Sequence, residues 1–263
     1  MKQLIITADD FGAAREVNEA VEQAHQGGIL TAASLMVSAP AAADAAARAR
    51  RMPNLRVGLH LTLVDDRPAL PAEQIPGLVD SDGLFRSDMA RAGAAMFFLP
   101  SLRRQLAAEI EAQFKAFAET GLTLDHVNTH KHFHLHPTIA GMMMKIGARY
   151  GMNATRVPFE TDNPLAMWLR RSYRAKGMCV ADRVYGLKWS GAMTKDRLGS
   201  ILRALPEGLS EIYMHPATGP YPGSAAGYCY AQELAALTDT QAIEYIKYSN
   251  ITRGGFADFA HAH

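Results

Sequence analysis

The order of short apolar runs and helical-period segments limits this chain more than any other feature. Gln3-Leu4-Ile5-Ile6-Thr7-Ala8 is an apolar, β-branched run of the kind that fills a strand buried on both faces. Behind it come Val17, Ala20, Val21 and Ala24 at helical spacing, stopped by Gly27-Gly28. The alternation repeats with a strand over 33–37, an alanine-rich helix over 41–51 and a strand over 56–62. It resumes with a helix over 102–120, a histidine-rich strand end, a helix over 137–150, a strand over 154–157, a helix over 194–205 and a strand over 210–214. Strands that alternate with helices form a parallel sheet. Between 64 and 100 a stretch punctuated by Pro68, Pro71, Pro76 and Gly83 reads as a long excursion, the kind of loop that binds or covers a substrate.

Acidic and imidazole groups sit where these strands end. Asp9-Asp10-Phe11-Gly12 follows the first strand, and His60 lies near the end of the third. Five of the ten histidines, His126, His130, His132, His134 and His136, fall in the run from Asp125 to Pro137. Imidazole titrates near neutrality and is a frequent metal ligand, so such clustering points to metal or proton chemistry. If the run is extended, a period of two places His130, His132, His134 and His136 on one face. A solvated histidine-rich loop is the alternative. Asp9 is either a helix cap or a catalytic carboxylate. Strand C-termini converge at one mouth in a parallel barrel, and one Asp with two His leaves open positions on a divalent ion.

The motifs Ala8-Asp9-Asp10-Phe11-Gly12, Gly58-Leu59-His60-Leu61-Thr62, Thr129-His130-Lys131-His132-Phe133-His134 and Met214-His215-Pro216 resemble those of the YdjC-like carbohydrate deacetylases. The resemblance spans nearly the whole chain. The wording of 30–37, 130–137, 189–194 and 211–218 is similar to the hopanoid-biosynthesis branch of that family. About seven strand candidates suggest a distorted or incomplete TIM-type (β/α) barrel, and the resemblance implies the same. With no internal repeat or linker, 1–263 reads as one metal-dependent deacetylase domain.

The resemblance implies that Asp10, His60 and His130 hold one divalent metal ion and that Asp9 is the acid/base partner. Spacing alone does not choose between Asp9 and Asp10. Zinc fits two imidazoles best, with magnesium as the other choice. His215, fixed by Pro216, is the candidate general acid, or else a structural histidine bonded to a carbonyl. Arg156-Val157-Pro158 looks like the element by which related deacetylases orient the base, a plain surface arginine being the alternative. His132 and His134 are candidates for supporting the ligands or touching substrate. Lys131 stands where many relatives carry another histidine, so that position is no required ligand.

The implied reaction frees the amine of an N-acetylglucosamine unit, on a hopanoid lipid or on a soluble chito-oligosaccharide. Phe97 and Phe98, in an apolar stretch bordered by Arg91, Arg103 and Arg104, are candidates for gripping a lipid or docking on a membrane; ordinary helix packing is the alternative. A net charge of +1 provides no field for nucleic acid. Cys179 and Cys229 make no disulfide framework. Met1 leads directly into the first strand, and no apolar run approaches the roughly 20 residues needed to cross a bilayer. The expectation is a cytoplasmic enzyme, with peripheral contact at the inner membrane face left open. A non-catalytic metal- or sugar-binding protein is the other class. It has no need of Asp9 beside Asp10. A two-metal phosphoester hydrolase would carry more bridging carboxylates.

Overall fold

In the computed structural model, residues 1–88 and 99–260 are described. Strand β1 (Lys2–Phe11) is the axis of an all-parallel sheet in which β2 (Ala32–Leu35), β3 (Arg56–Leu61) and β4 (Val127–Thr129) follow on one side. On the other side lie β6 (Gly208–Met214) and then β5 (Arg183–Tyr185). The short β7 (Ile251–Arg253) pairs with Lys2–Leu4, below the point where β2 begins opposite Thr7.

Backbone bonds carry the sheet round into a ring. Val127 donates to the Ala154 carbonyl at 3.1 Å, and Thr155 donates to Cys179 at 3.1 Å. Asp182, just before β5, donates to Leu209 of β6 at 2.7 Å. The segments at 154–155 and 179 close the ring through isolated bridges instead of ladders. This is a distorted TIM-type barrel, as expected, although the strand read over 154–157 is reduced to its first two residues.

The helices cover the sheet with the stripes expected of them. Val17, Ala20, Val21 and Ala24 are the buried face of α1 (Arg15–Gly27), and Ala45, Ala46 and Ala49 that of α2 (Ala42–Arg50). The helix Pro100–Glu119 buries Leu106, Ile110, Phe114 and Phe117. Proline opens that helix and the helix Pro137–Gly147, where a missing N–H costs nothing. The excursion after β3 includes a 3-10 turn at Ala72–Gln74 and an isolated antiparallel bridge between Val79 and Phe85. Phe97 and Phe98 lie outside the described residues.

Candidate active site

Two departures from regular backbone build the site. In a straight strand Asp9 and Asp10 would point to opposite faces. The register between β1 and β2 shifts between Ala8 and Phe11, and Asp10 takes a left-handed φ of 61°. This bulge lets both carboxylates line one cavity of about 590 Å³ at the strand C-termini. The second departure corrects the histidine run. It is not extended: β4 ends at Thr129, and Lys131 and His132 both adopt left-handed conformations inside a short 3-10 segment. The period of two is therefore lost, and the four histidines separate. Asp10, Asp65, Lys131 and His132 are the positive-φ residues other than glycine among the described residues. All four line the cavity. Such conformations persist only where the surroundings enforce them, and they gather at functional sites.

His130 goes to the cavity, where its Nδ1 lies 3.1 Å from Asp10 Oδ1. His60 Nε2 lies 3.2 Å from the same oxygen. These separations match the edges, about 2.9–3.3 Å, of a coordination shell with bonds near 2.0–2.1 Å. One ligand atom from each of Asp10, His60 and His130 lies within 4.8 Å of the others. Asn128 Oδ1 accepts from His60 Nδ1 at 2.7 Å, leaving a lone pair on the Nε2 that faces Asp10. The three residues fit a divalent cation. Burial alone would raise the Asp10 pKa, but His130 and His60 outweigh it and hold the carboxyl well below the usual range.

Asp9 is built differently. It is not a helix cap, because the N-cap of α1 is Ala14. Its Oδ1 accepts from Ser34 Oγ at 2.6 Å, Arg156 Nη2 at 3.0 Å and Asn128 Nδ2 at 3.1 Å, while Oδ2 accepts from Arg156 Nη1 at 2.5 Å. Oδ2 keeps lone-pair capacity toward the cavity. Burial opposes its charge, yet the Arg156 guanidinium overrides burial and keeps Asp9 ionised far below the ordinary carboxylate pKa.

Arg156 is 0% exposed, so it is neither a surface residue nor a substrate contact. Its Nε and Nη2 also donate to Glu211, at 2.8–3.1 Å, and Thr7 Oγ1 donates to Glu211 at 2.9 Å. The fork thus ties β1, β6 and the segment after the helix Pro137–Gly147 together below the cavity.

His134 is also fully buried and does not reach the cavity. Its ring bridges Thr129 Oγ1 at 2.7 Å and the Arg156 carbonyl at 2.8 Å. Burial and the Arg156 charge push its pKa down to about 4. His132 does line the cavity and meets the Tyr213 hydroxyl at 2.9 Å. Burial and Arg156 push its pKa down to about 2, so it is neutral at pH 7. His215 lines the cavity just beyond β6, whose Met214 pairs with Ala8 of β1, with its ring 5.3 Å from Tyr228 and 5.9 Å from Tyr213.

Reading the sequence did not single out Ser34, Asn128, Glu211, Tyr213, Tyr221, Tyr228 or the pair Asp65-Asp66. Glu211 carried a signal, being the one acid inside an otherwise apolar strand. Ser34 and Asn128 carried none, because small polar residues are common in strands.

A sequence profile of the YdjC-like protein family matches residues 3–248. A carbohydrate deacetylase of Geobacillus stearothermophilus is 33% identical over 239 residues, covering 89% of each chain. The chitooligosaccharide deacetylase of Proteus mirabilis is 28% identical over 262 residues, covering 97% of this chain and 98% of its own. A crystal structure from Enterococcus faecalis, of a protein described in terms of cellobiose-phosphate cleavage, superposes with a TM-score of 0.82 at 25% identity over 98% of both chains. The lactam utilization protein of Thermus thermophilus, at 16% identity and a TM-score of 0.55 over 97% of this chain and 99% of its own, shares the fold. On the strength of the matched span and of these relatives, the chain belongs to the YdjC-like carbohydrate deacetylase family.

Proposed function

We propose that this protein is a metal-dependent hydrolase that removes the acetyl group from an N-acetylglucosamine unit. One observation carries the reading: a carboxylate tethered by Arg156, Ser34 and Asn128 stands beside the Asp10-His60-His130 triad in a cavity large enough for a sugar. A binding protein has no use for that second, separately held acid.

Asp10, His60 and His130 would hold one divalent cation, zinc by the preference of two imidazoles. Such an ion lowers the pKa of water and polarises a carbonyl. Asp9, through the free lone pair of Oδ2, accepts the proton of the attacking water as its oxygen bonds to the acetamide carbon. Arg156 keeps Asp9 ionised, so that oxygen is free to accept a proton. His215, at the end of the neighbouring strand β6, donates a proton to the amide nitrogen as the C–N bond breaks, giving acetate and the free amine. Arg156 and Asn128 keep Asp9 aimed, and Asn128 also sets the His60 tautomer. His132, neutral and hydrogen-bonded to Tyr213, shapes the wall without carrying charge.

For the acceptor we favour an N-acetylglucosaminyl hopanoid, since the wording of 30–37, 130–137, 189–194 and 211–218 resembles that branch. Access to such a lipid calls for peripheral contact at the membrane. Among the described residues no helix is long and apolar enough to cross one. The second reading, a soluble chito-oligosaccharide, draws on the Proteus mirabilis relative. Acetate release from both acceptors, with metal content measured on the same preparation, is the test. Release from neither would discard the deacetylase reading, and a preference for the soluble acceptor would discard the lipid.

A further inference from the structure

His215 lacks the usual means of orienting a catalytic imidazole. Its Nδ1 is buried and has no hydrogen-bond partner among the described residues, whereas a histidine that transfers protons is normally held by a carboxylate or carbonyl at that atom. Something else must fix the ring. Glu233, from the helix Tyr230–Leu237, is 0% exposed and makes no ion pair among the described residues. A buried carboxylate without a counter-ion is costly unless it is well bonded. Its Oε2 accepts the backbone N–H of His215 at 2.5 Å, and its Oε1 accepts the backbone N–H of Met193 at 2.9 Å.

Met193 ends the stretch Trp189-Ser190-Gly191-Ala192-Met193, which is the other wall of the same corner. Ser190 Oγ lies 2.8 Å from the Tyr228 hydroxyl, and Cys229 N donates to the Gly191 carbonyl at 2.6 Å. Gly191 has a φ of +70°, and a Cβ there would fall 2.2 Å from the Tyr228 ring. Only glycine lets that ring lie where it packs against His215.

We propose that Glu233 is a positioning residue: its one carboxylate fixes the backbone amides of His215 and Met193, and so sets the His215 imidazole between Tyr213 and Tyr228 at the cavity wall. This rests on the deacetylase reading for its catalytic consequence, but not for the clamp itself. The groups facing His215 are Asp9 from β1, His132 from the segment after β4, Glu233 and the two tyrosine rings. Glu233 is thus one of two carboxylates near His215.

The test is Glu233→Gln in the metal-loaded protein. Glutamine retains one acceptor oxygen, so one of the two backbone amides loses its partner and the charge is lost. The backbone N–H signals of His215 and Met193 should move in NMR, because one of the two amides loses its acceptor. Turnover should fall about 10- to 100-fold with KM little changed and metal content intact, the loss expected for hydrogen bonds to a charged group. The variant His215→Asn/Glu233→Gln should be no slower than His215→Asn alone, because both changes act on one group. Unmoved amide signals, or losses that multiply in the double variant, overturn the clamp. If Glu233→Gln does not fold, Glu233→Asp keeps the charge while shortening the reach. Turnover should then fall, because the shorter side chain cannot hold both amides, and unchanged turnover overturns the clamp. Absence of acetate release in the unmodified protein would sink the functional reading instead, and the amide signals would still decide the clamp.

Discussion

Replacing Arg156 by methionine removes the cation between two buried carboxylates while nearly preserving volume. In the native protein the guanidinium places two hydrogen bonds on Asp9 and three on Glu211, with all three residues at most 2% exposed. Removing one partner of a buried ion pair costs about 3–5 kcal/mol, because a charge is left buried without compensation. At about 2–4 °C per kcal/mol for a chain of this size, Tm should fall by roughly 6–20 °C. The pH dependence carries the sharper signature. Native Asp9 has a depressed pKa, so its stabilisation is present above the unfolded carboxyl value and is lost only as pH falls through the much lower folded value. Without Arg156 the burial that raises its pKa is no longer overridden by that cation. A raised folded pKa contributes stability below the unfolded value, and that contribution is lost as pH rises through the folded value. The deficit of Arg156→Met should therefore be largest at pH 7–8 and shrink on acidification toward pH 5. Thermal unfolding of both proteins across that range, with metal removed from each by a chelator, is the measurement. A deficit under about 1 kcal/mol, or one that grows at low pH, would refute the reasoning.

Asp9→Asn should retain metal but lose about 10²–10⁴-fold in acetate release, since an amide cannot accept the water's proton; activity within threefold would make Asp9 structural. His60→Ala should leave the purified protein with far less than one equivalent of divalent metal by elemental analysis, and unchanged metal affinity would remove His60 from the triad. His134→Ala strips the ring from between Thr129 and the Arg156 carbonyl, leaving a buried carbonyl unpaired at a cost of about 1–3 kcal/mol. Its metal content should be unchanged, and metal loss at native stability would show that His134 acts on the site and not on the fold.

Much of the barrel was legible because its signals are local. The β-branched run at 3–8 is buried from Leu4 onward, and the apolar stripe of α1 is the one its spacing indicates. Asp10, His60 and His130 could be picked out because each lies at the end of such a run, and a parallel barrel brings those ends to one mouth. Glu233 gave no such indication, since nothing near it in the chain marks the amides that it holds.

What the chain alone determined is its set of strands and helices, written in periods of 2 and 3.6, together with the residue types available at the strand ends. What only the tertiary structure decided is the division of labour among them. The left-handed backbone at Asp10, Lys131 and His132 redirects neighbours that a regular strand would have sent elsewhere. It turns Asp9 and Asp10 to one cavity and sends His130, His132 and His134 to three different partners. Such backbone is unfavourable in isolation and survives because packing and buried hydrogen bonds from distant segments hold it. Arg156 meets Asp9 across 147 positions and Glu211 across 55. No local period encodes a meeting of that range, which follows from closure of the ring.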